Sequence, residues 1–337
     1  MSELPALIKA LLSPEAYPQT PQNVELVQTQ ISYVFLADDL VYKIKKPVDF
    51  GFLDFTTLEK RLRFCRKEVE LNRRLCPDVY LGVVPVTGGN SRYVIEGKGK
   101  AEEYAVKMRR LPREAMMDVL LTRNKVTSEM IERVAGILVD FHRNAATGGE
   151  INDIGGINAV IKNTSENFEQ TEQYAGSIVP RETFIRIKDY TENFIKENDA
   201  LFHRRAAEGR IRDCHGDLHA AHICFGDKIC IYDCIEFIDR LRYTDVVADV
   251  AFLAMDLDRY NRRDLADIFV KAYVKKSGDD ELMQLLDFYK CYRAYVRFKV
   301  GCSQYDDPYI PADEKEKILA DTKGYFVLAN TYIRKSK

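Results

Sequence analysis

Residues 212–237, RDCHGDLHAAHICFGDKICIYDCIEF, gather three of the chain's five histidines and four of its eight cysteines. Asp213, Asp217, Asp227 and Asp233 precede a closing Glu236. Such residues can build a Cys/His metal cage, a Cys–His nucleophile pair, or carboxylates that handle a proton and a cation. Strand parity discriminates among these. HICF and KICIYD flank Gly226-Asp227, a two-residue hairpin signal. In that register Ile223 faces Cys230 and His222 faces Ile231. His222 and Asp233 then share a face as diagonal neighbours, with Cβ atoms about 7 Å apart. Cys230 and Cys234 point to the other face, so the sulfurs do not converge and read as core residues. What remains is Asp217, in a polar loop before the hairpin, and Asp233 at its end. That pair suits phosphoryl transfer: one aspartate accepts the proton of a hydroxyl nucleophile and the other holds a cation that bridges phosphates.

Such carboxylates need a scaffold and a phosphate-contacting cation. ISYVFLADDLVYKIKKPV reads as two strands joined at Ala37-Asp38-Asp39, with Lys43 and Lys45 on one face of the second. TTLEKRLRFCRKEVELNRRL reads as a helix opened by Thr56 or Thr57. Its Phe64, Leu71 and Leu75 form an apolar stripe that includes Glu68. A carboxylate there either reaches the stripe's edge and stays solvated or pairs with a strand lysine. YLGVVPVTG, SRYVIEG and EYAVKMRRL supply three more strands, and residues 5–12 and 21–28 read as short helix or turn material. This unit ends near Pro112. The remainder reads as helical, including one long helix over RETFIRIKDYTENFIKENDALFHRRAAEG ended by Gly209. Residues 146–157, with four glycines, read as a flexible connection.

Bulk properties fit this division. A chain of 337 residues exceeds one small core and predicts two domains or lobes. A formal net charge of −2 with dispersed basic residues predicts no nucleic-acid partner. No apolar run approaches a membrane span and no signal peptide is evident, so a cytoplasmic protein with reduced cysteines is expected. The cysteines form no C-x-x-C pair.

The ordered set VYK, Glu68, HGDLH and D-x-x-E-F resembles the catalytic centre of the aminoglycoside phosphotransferases and related small-molecule kinases acting on choline, homoserine and fructosamine. CHGDLH, IYDCIEF, LRYTDVVADVAFLAMDL, VYKIKKPVDFGFLDF and LNRRLCPDVYLGVVPV together look closest to a bacterial branch sometimes fused to a P-loop ATPase domain. The likeness runs over about residues 20–330. G-x-x-x-x-G-K-[ST] is absent, so the fused domain is not expected here.

The resemblance implies an α+β, protein-kinase-like bilobal fold. Residues 1–112 would be a small antiparallel-sheet N-lobe and residues 113–337 a larger, mostly helical C-lobe carrying the catalytic loop, metal-binding hairpin and substrate cleft. It implies ATP-dependent transfer of a γ-phosphate to a hydroxyl of a small molecule, with Mg²⁺, or Mn²⁺ in its place. By position Asp217 matches the catalytic base, His215 the start of its loop, and Asp233 the magnesium-binding acid. Lys43 matches the phosphate-contacting lysine, with Lys45 as the alternative, and Glu68 matches its helix partner. The adenine is expected along Met108, Arg109 and Leu111, and Asp245 or Asp249 would brace the catalytic loop.

Two departures stand out. His222 occupies the position where the family has a metal-binding Asn. No G-x-G-x-x-G loop covers the phosphates; Thr29 and Ser32 stand there instead. Two further readings stay open, a nucleotide-binding pseudokinase acting as a regulator and a protein kinase. YKCYRAYVRFK also has two readings, a partly buried amphipathic helix or a pocket wall for an anionic or sugar-like substrate. Oligomeric state is not set by these features.

Overall fold

The computed structural model describes residues 4–89, 92–308 and 310–333. The chain divides into two compact units, one of Met1–Val119 with Ala221–Ile238, the other of Leu120–Ala220 with Asp239–Lys337. The fold is kinase-like, two-lobed and α+β, as the motifs led us to expect.

In the first unit six strands form one antiparallel sheet: β1 (Val24–Gln28), β2 (Ser32–Ala37), β3 (Leu40–Lys45), β4 (Tyr80–Gly89), β5 (Arg92–Ile95) and β6 (Ala101–Arg109). Their order is β1-β2-β3-β6-β4-β5. Residues 24–28 are strand rather than helix or turn. VELVQ is too short to hold a helix alone, and it finds a full set of partners on β2, from Val24 opposite Ala37 to Gln28 opposite Tyr33. In β3, Tyr42 and Ile44 enter the apolar core with Phe35, Ala37, Val86 and Ala105. Alternation therefore turns Lys43 and Lys45 to the other face. There lie Val106, Tyr80 and the helix Leu58–Asn72, which supplies Cys65 and Val69. Thr57 caps that helix by accepting from Lys60 N at 3.3 Å.

The hairpin falls in this unit, with a register one residue off the expected one. Ile223 pairs with Ile231, Cys224 with Cys230 and Phe225 with Ile229, so residues 226–228 form a three-residue loop. Cys224 and Cys230 thus share a face. Cys230 is not a free thiol: it is disulfide-bonded to Cys76, with 4.9 Å between the Cα atoms. The expectation that all eight cysteines are reduced is corrected at this pair; the other six are buried and form no disulfide among the described residues. Cys76 stands 154 residues away, a proximity that only the fold creates.

The second unit is built on helices, with a short ribbon of Ile211–Asp213 against Tyr243–Asp245. The helix Val246–Arg259 runs through its core, with residues 246–257 all buried. The expected long helix is two, Arg181–Glu197 and Asp199–Ala207. Asn198 separates them at φ −107°, and its amide donates to Phe194 O. Residues 146–157 contain a helix, Glu150–Gly155. Gly155 serves close packing there: a Cβ would lie 2.4 Å from Tyr243 O. Among the described residues no helix is long and apolar enough to cross a membrane.

Candidate active-site residues

The first unit brings Lys43, Lys45, Glu68, His222 and Asp233 together. Glu68 is fully buried and joins both lysines, with Oε1 2.9 Å from Lys43 Nζ and Oε2 2.7 Å from Lys45 Nζ. Lys43 Nζ also lies 2.8 Å from Asp233 Oδ1. Lys45 is enclosed, sits 4.9 Å over the Phe55 ring and makes its second ion pair with Glu236. The two lysines differ in access: Lys43 retains 14% side-chain exposure and Lys45 none. Burial opposes the charge on Lys43, but Asp233, Glu68 and Glu236 outweigh it and raise its pKa well above the usual lysine value. Burial likewise pushes the Glu68 carboxyl up, and the two ammonium groups pull it below the ordinary glutamate range. Glu236 moves the other way: burial dominates over Lys45 and raises it.

Asp233 reaches this cluster through an unusual backbone. Its φ is +62°, the left-handed region that few non-glycine residues adopt. With the observed register, strand parity alone would put His222 and Asp233 on opposite faces; the turn at Asp233 reverses that. His222 Nε2 is 3.6 Å from Asp233 Oδ2. The turn is held by Asp233 N donating to Tyr80 Oη at 3.3 Å and Cys234 N donating to Asn72 Oδ1 at 2.8 Å. Asn72 in turn donates to Glu68 O at 2.8 Å.

Glu236, Tyr80 and Asn72 were not foreseen as members. Glu236 had a signal: a second inward lysine needs a second carboxylate. Ser32 is fully buried, opposite Lys45 in the ladder, and its amide donates to Thr29 Oγ1 at 3.0 Å. Thr29 also accepts from Ile31 N, closing the β1–β2 turn. Met108 pairs with Val41 and Tyr80. Arg109 N donates to Val79 O at 2.9 Å, and Met108 and Leu111 both pack against the apolar cluster of Val69, Tyr80 and Val106.

The second unit carries His215 and Asp217. His215 N and Gly216 N donate to Asp249 Oδ2 and Oδ1 at 2.7 and 2.9 Å. Gly216 has φ +86°, which lets two successive amides turn to one carboxylate. Asp217 N donates to His215 Nδ1 at 3.3 Å, which places a neutral ring's proton on Nε2. The Asp217 carboxylate is about one-third exposed, 3.7 Å from His219 Nε2. At the loop's far end Ala220 N donates to Asp256 Oδ2 at 2.8 Å. Asp249 and Asp256 are two turns apart on one helix, so a single face of it fixes both ends of the loop. Asp256 escaped the sequence reading, although acids inside so apolar a helix were its signal. Of the two brace candidates, Asp249 reaches the loop. Asp245 caps its own helix at Val247 N and pairs with buried Arg205. Burial pushes the Asp249 carboxyl up. The hydrogen bond and charge of His142, with Arg293 beyond, overcome this and hold it at about 2.

The model of the phosphotransferase enzyme family matches residues 53–286. The chain belongs to that family. An uncharacterized protein of Mycobacterium tuberculosis is 34% identical over 322 residues, covering 95% of this chain and 62% of the relative. The chain thus spans less than two thirds of that relative's length. A choline/ethanolamine kinase family protein from Mesorhizobium loti shares the fold, with TM-score 0.51, 13% identity and coverage of 98% of this chain and 100% of that one. A glucosamine kinase in complex with glucosamine, ADP and inorganic phosphate shares it too, with TM-score 0.51, 13% identity and coverage of 94% and 76%.

Proposed function

We propose that the protein is a kinase that moves the γ-phosphate of ATP to a hydroxyl of a small molecule. The observation that carries this reading is the buried Lys43–Glu68 pair extended to a half-exposed Asp233. A lysine fixed by a helix glutamate and facing a second, solvent-reaching carboxylate is the phosphate-side constellation of phosphoryl transfer. Lys43, the more accessible of the two lysines, contacts phosphate; Lys45 is the structural partner that keeps Glu68 ionised.

The residues fit a divalent cation. Asp233 spends Oδ1 on Lys43 and presents Oδ2 toward His222. Three carboxylates, Glu68, Asp233 and Glu236, gather around the two ammonium groups. Asp233 and His222 would hold the ion; the oxygen suits Mg²⁺ and the imidazole favours Mn²⁺. When bound, it would neutralise phosphate charge. Asp217 accepts the acceptor's proton, and its loop is kept in register by Asp249 and Asp256. In this reading the first unit serves the nucleotide and the second the acceptor. The ADP complex of the glucosamine kinase supports an adenine nucleotide as donor.

The test is steady-state release of ADP with wild type, Asp217→Asn and Asp233→Ala. Asp217→Asn should lose about 10²-fold or more in turnover while nucleotide affinity stays near wild type. Asp233→Ala should also lose metal-dependent nucleotide affinity. Turnover by both variants at the wild-type rate would refute the roles. Nucleotide binding by wild type without any turnover, with either metal, would favour a pseudokinase.

A further inference from the structure

The helix Leu282–Asp306 carries two arginines one turn apart, with different fates. Arg293 is consumed by packing: it is 4% exposed, donates from Nε to Ala248 O at 3.2 Å and lies 4.8 Å over the Phe252 ring. Arg297 is half-buried, stands 5.5 Å over the Tyr325 ring, and among the described residues makes no ion pair with a carboxylate. Its surroundings lead to the catalytic loop. Tyr325 Oη donates to Asp256 Oδ1 at 3.5 Å, and Asp256 Oδ2 holds Ala220 N, three residues past Asp217. Burial disfavours the guanidinium charge, but Tyr325, Asp217 and Asp256 offset this and raise its pKa.

We propose that the phosphate acceptor carries an anionic oxygen group, a carboxylate or a phosphate, and that Arg297 binds it beside Asp217. This rests on the kinase reading above and extends it to the acceptor's class. A planar five-donor fork, partly dehydrated and not spent on a carboxylate, matches the two oxygens of such a group. It also disfavours the alternatives. A quaternary ammonium or an aminosugar brought to Asp217 would face a fixed positive charge with no lone pair to offer. The Tyr325 ring lies against one side of the guanidinium, so binding there would orient the acceptor's hydroxyl rather than merely collect it.

The same chemistry could come from the transferring phosphate of the nucleotide, so the experiment has two arms. In the first, D-glycerate, glucose 6-phosphate, choline and glucosamine are titrated calorimetrically into wild type, Arg297→Gln and Arg297→Lys, each with a non-hydrolysable ATP analogue present. We expect the anionic probes to bind wild type more tightly than the cationic ones. Arg297→Gln should weaken the anionic probes about tenfold or more, and Arg297→Lys by less. In the second arm, affinity for the ATP analogue alone should change less than twofold in both variants. The proposal is overturned if choline or glucosamine binds wild type more tightly, or if the anionic probes bind neither protein or both equally. It is also overturned if the loss in Arg297→Gln falls on the ATP analogue. Anion binding that depends on Arg297, in protein that never releases ADP, would count against the kinase reading and leave the anion site standing.

Discussion

Replacing Asp249 by Asn tests the bracing of the Asp217 loop most directly. Asp249 is fully buried and accepts two backbone amides and a histidine. Its carboxyl is held at about 2 against an ordinary 3.8, which corresponds to roughly 2 kcal/mol of folding stability near neutral pH. Asparagine has the same shape but no charge, and its amide must face one of the two donors with a donor of its own. An unsatisfied buried group of that kind costs about 1–3 kcal/mol. The two terms overlap, so the expected loss is about 2–4 kcal/mol. The charge term has a signature. A carboxyl whose folded pKa is depressed contributes fully above its unfolded pKa and loses that contribution as pH falls through the folded value. The gap between wild type and Asp249→Asn should therefore shrink by about 1 kcal/mol between pH 5 and pH 3. Urea unfolding followed at pH 7, 5 and 3 measures it. A gap of the same size at pH 3 and pH 5 would falsify the assignment of Asp249 as the ionised acceptor.

Two further outcomes follow from the lysine cluster. Lys45→Met should destabilise the protein by about 3–5 kcal/mol, because Glu236 is left buried without its counter-ion; Lys45→Met/Glu236→Leu should recover much of this. If the double variant unfolds no later in urea than the single one, the two residues are not paired. His222→Asn should shift metal-supported ATP-analogue binding toward Mg²⁺ over Mn²⁺ by about tenfold, read by titrating each metal. An unchanged ratio would remove His222 from the cation.

The reach of the sequence was uneven, for identifiable reasons. β2, β3 and β6 were legible because inward and outward residues alternate cleanly around Lys43 and Lys45. Glu68 was legible as a carboxylate inside an apolar stripe. β1 was not, since five residues carry little pattern until β2 pairs with them. The hairpin was found, but its register slipped by one: Gly226-Asp227-Lys228 accommodates a two- or three-residue loop, and only packing chooses. That His222 and Asp233 nevertheless approach owes nothing to parity; it depends on the left-handed backbone at Asp233, which no residue type announces. The Cys76–Cys230 bond is likewise a product of tertiary contact.

The first unit is stitched from two stretches, Met1–Val119 and Ala221–Ile238. During synthesis Lys43, Lys45 and Glu68 emerge together, two cations to one anion, whereas Asp233 follows Lys43 by 190 residues. The sheet therefore cannot bury its lysines with balanced charge until the hairpin has left the ribosome. An unpaired buried ammonium is too unfavourable to tolerate, so the nascent sheet is expected to stay open on its lysine face while the first half of the helical unit is made. Long sequence separation of this kind slows folding and prolongs exposure. A ribosome stalled before residue 221 would thus carry a sheet that a chaperone can still hold, and emergence of residues 221–238 from the ribosome would mark the moment at which it closes.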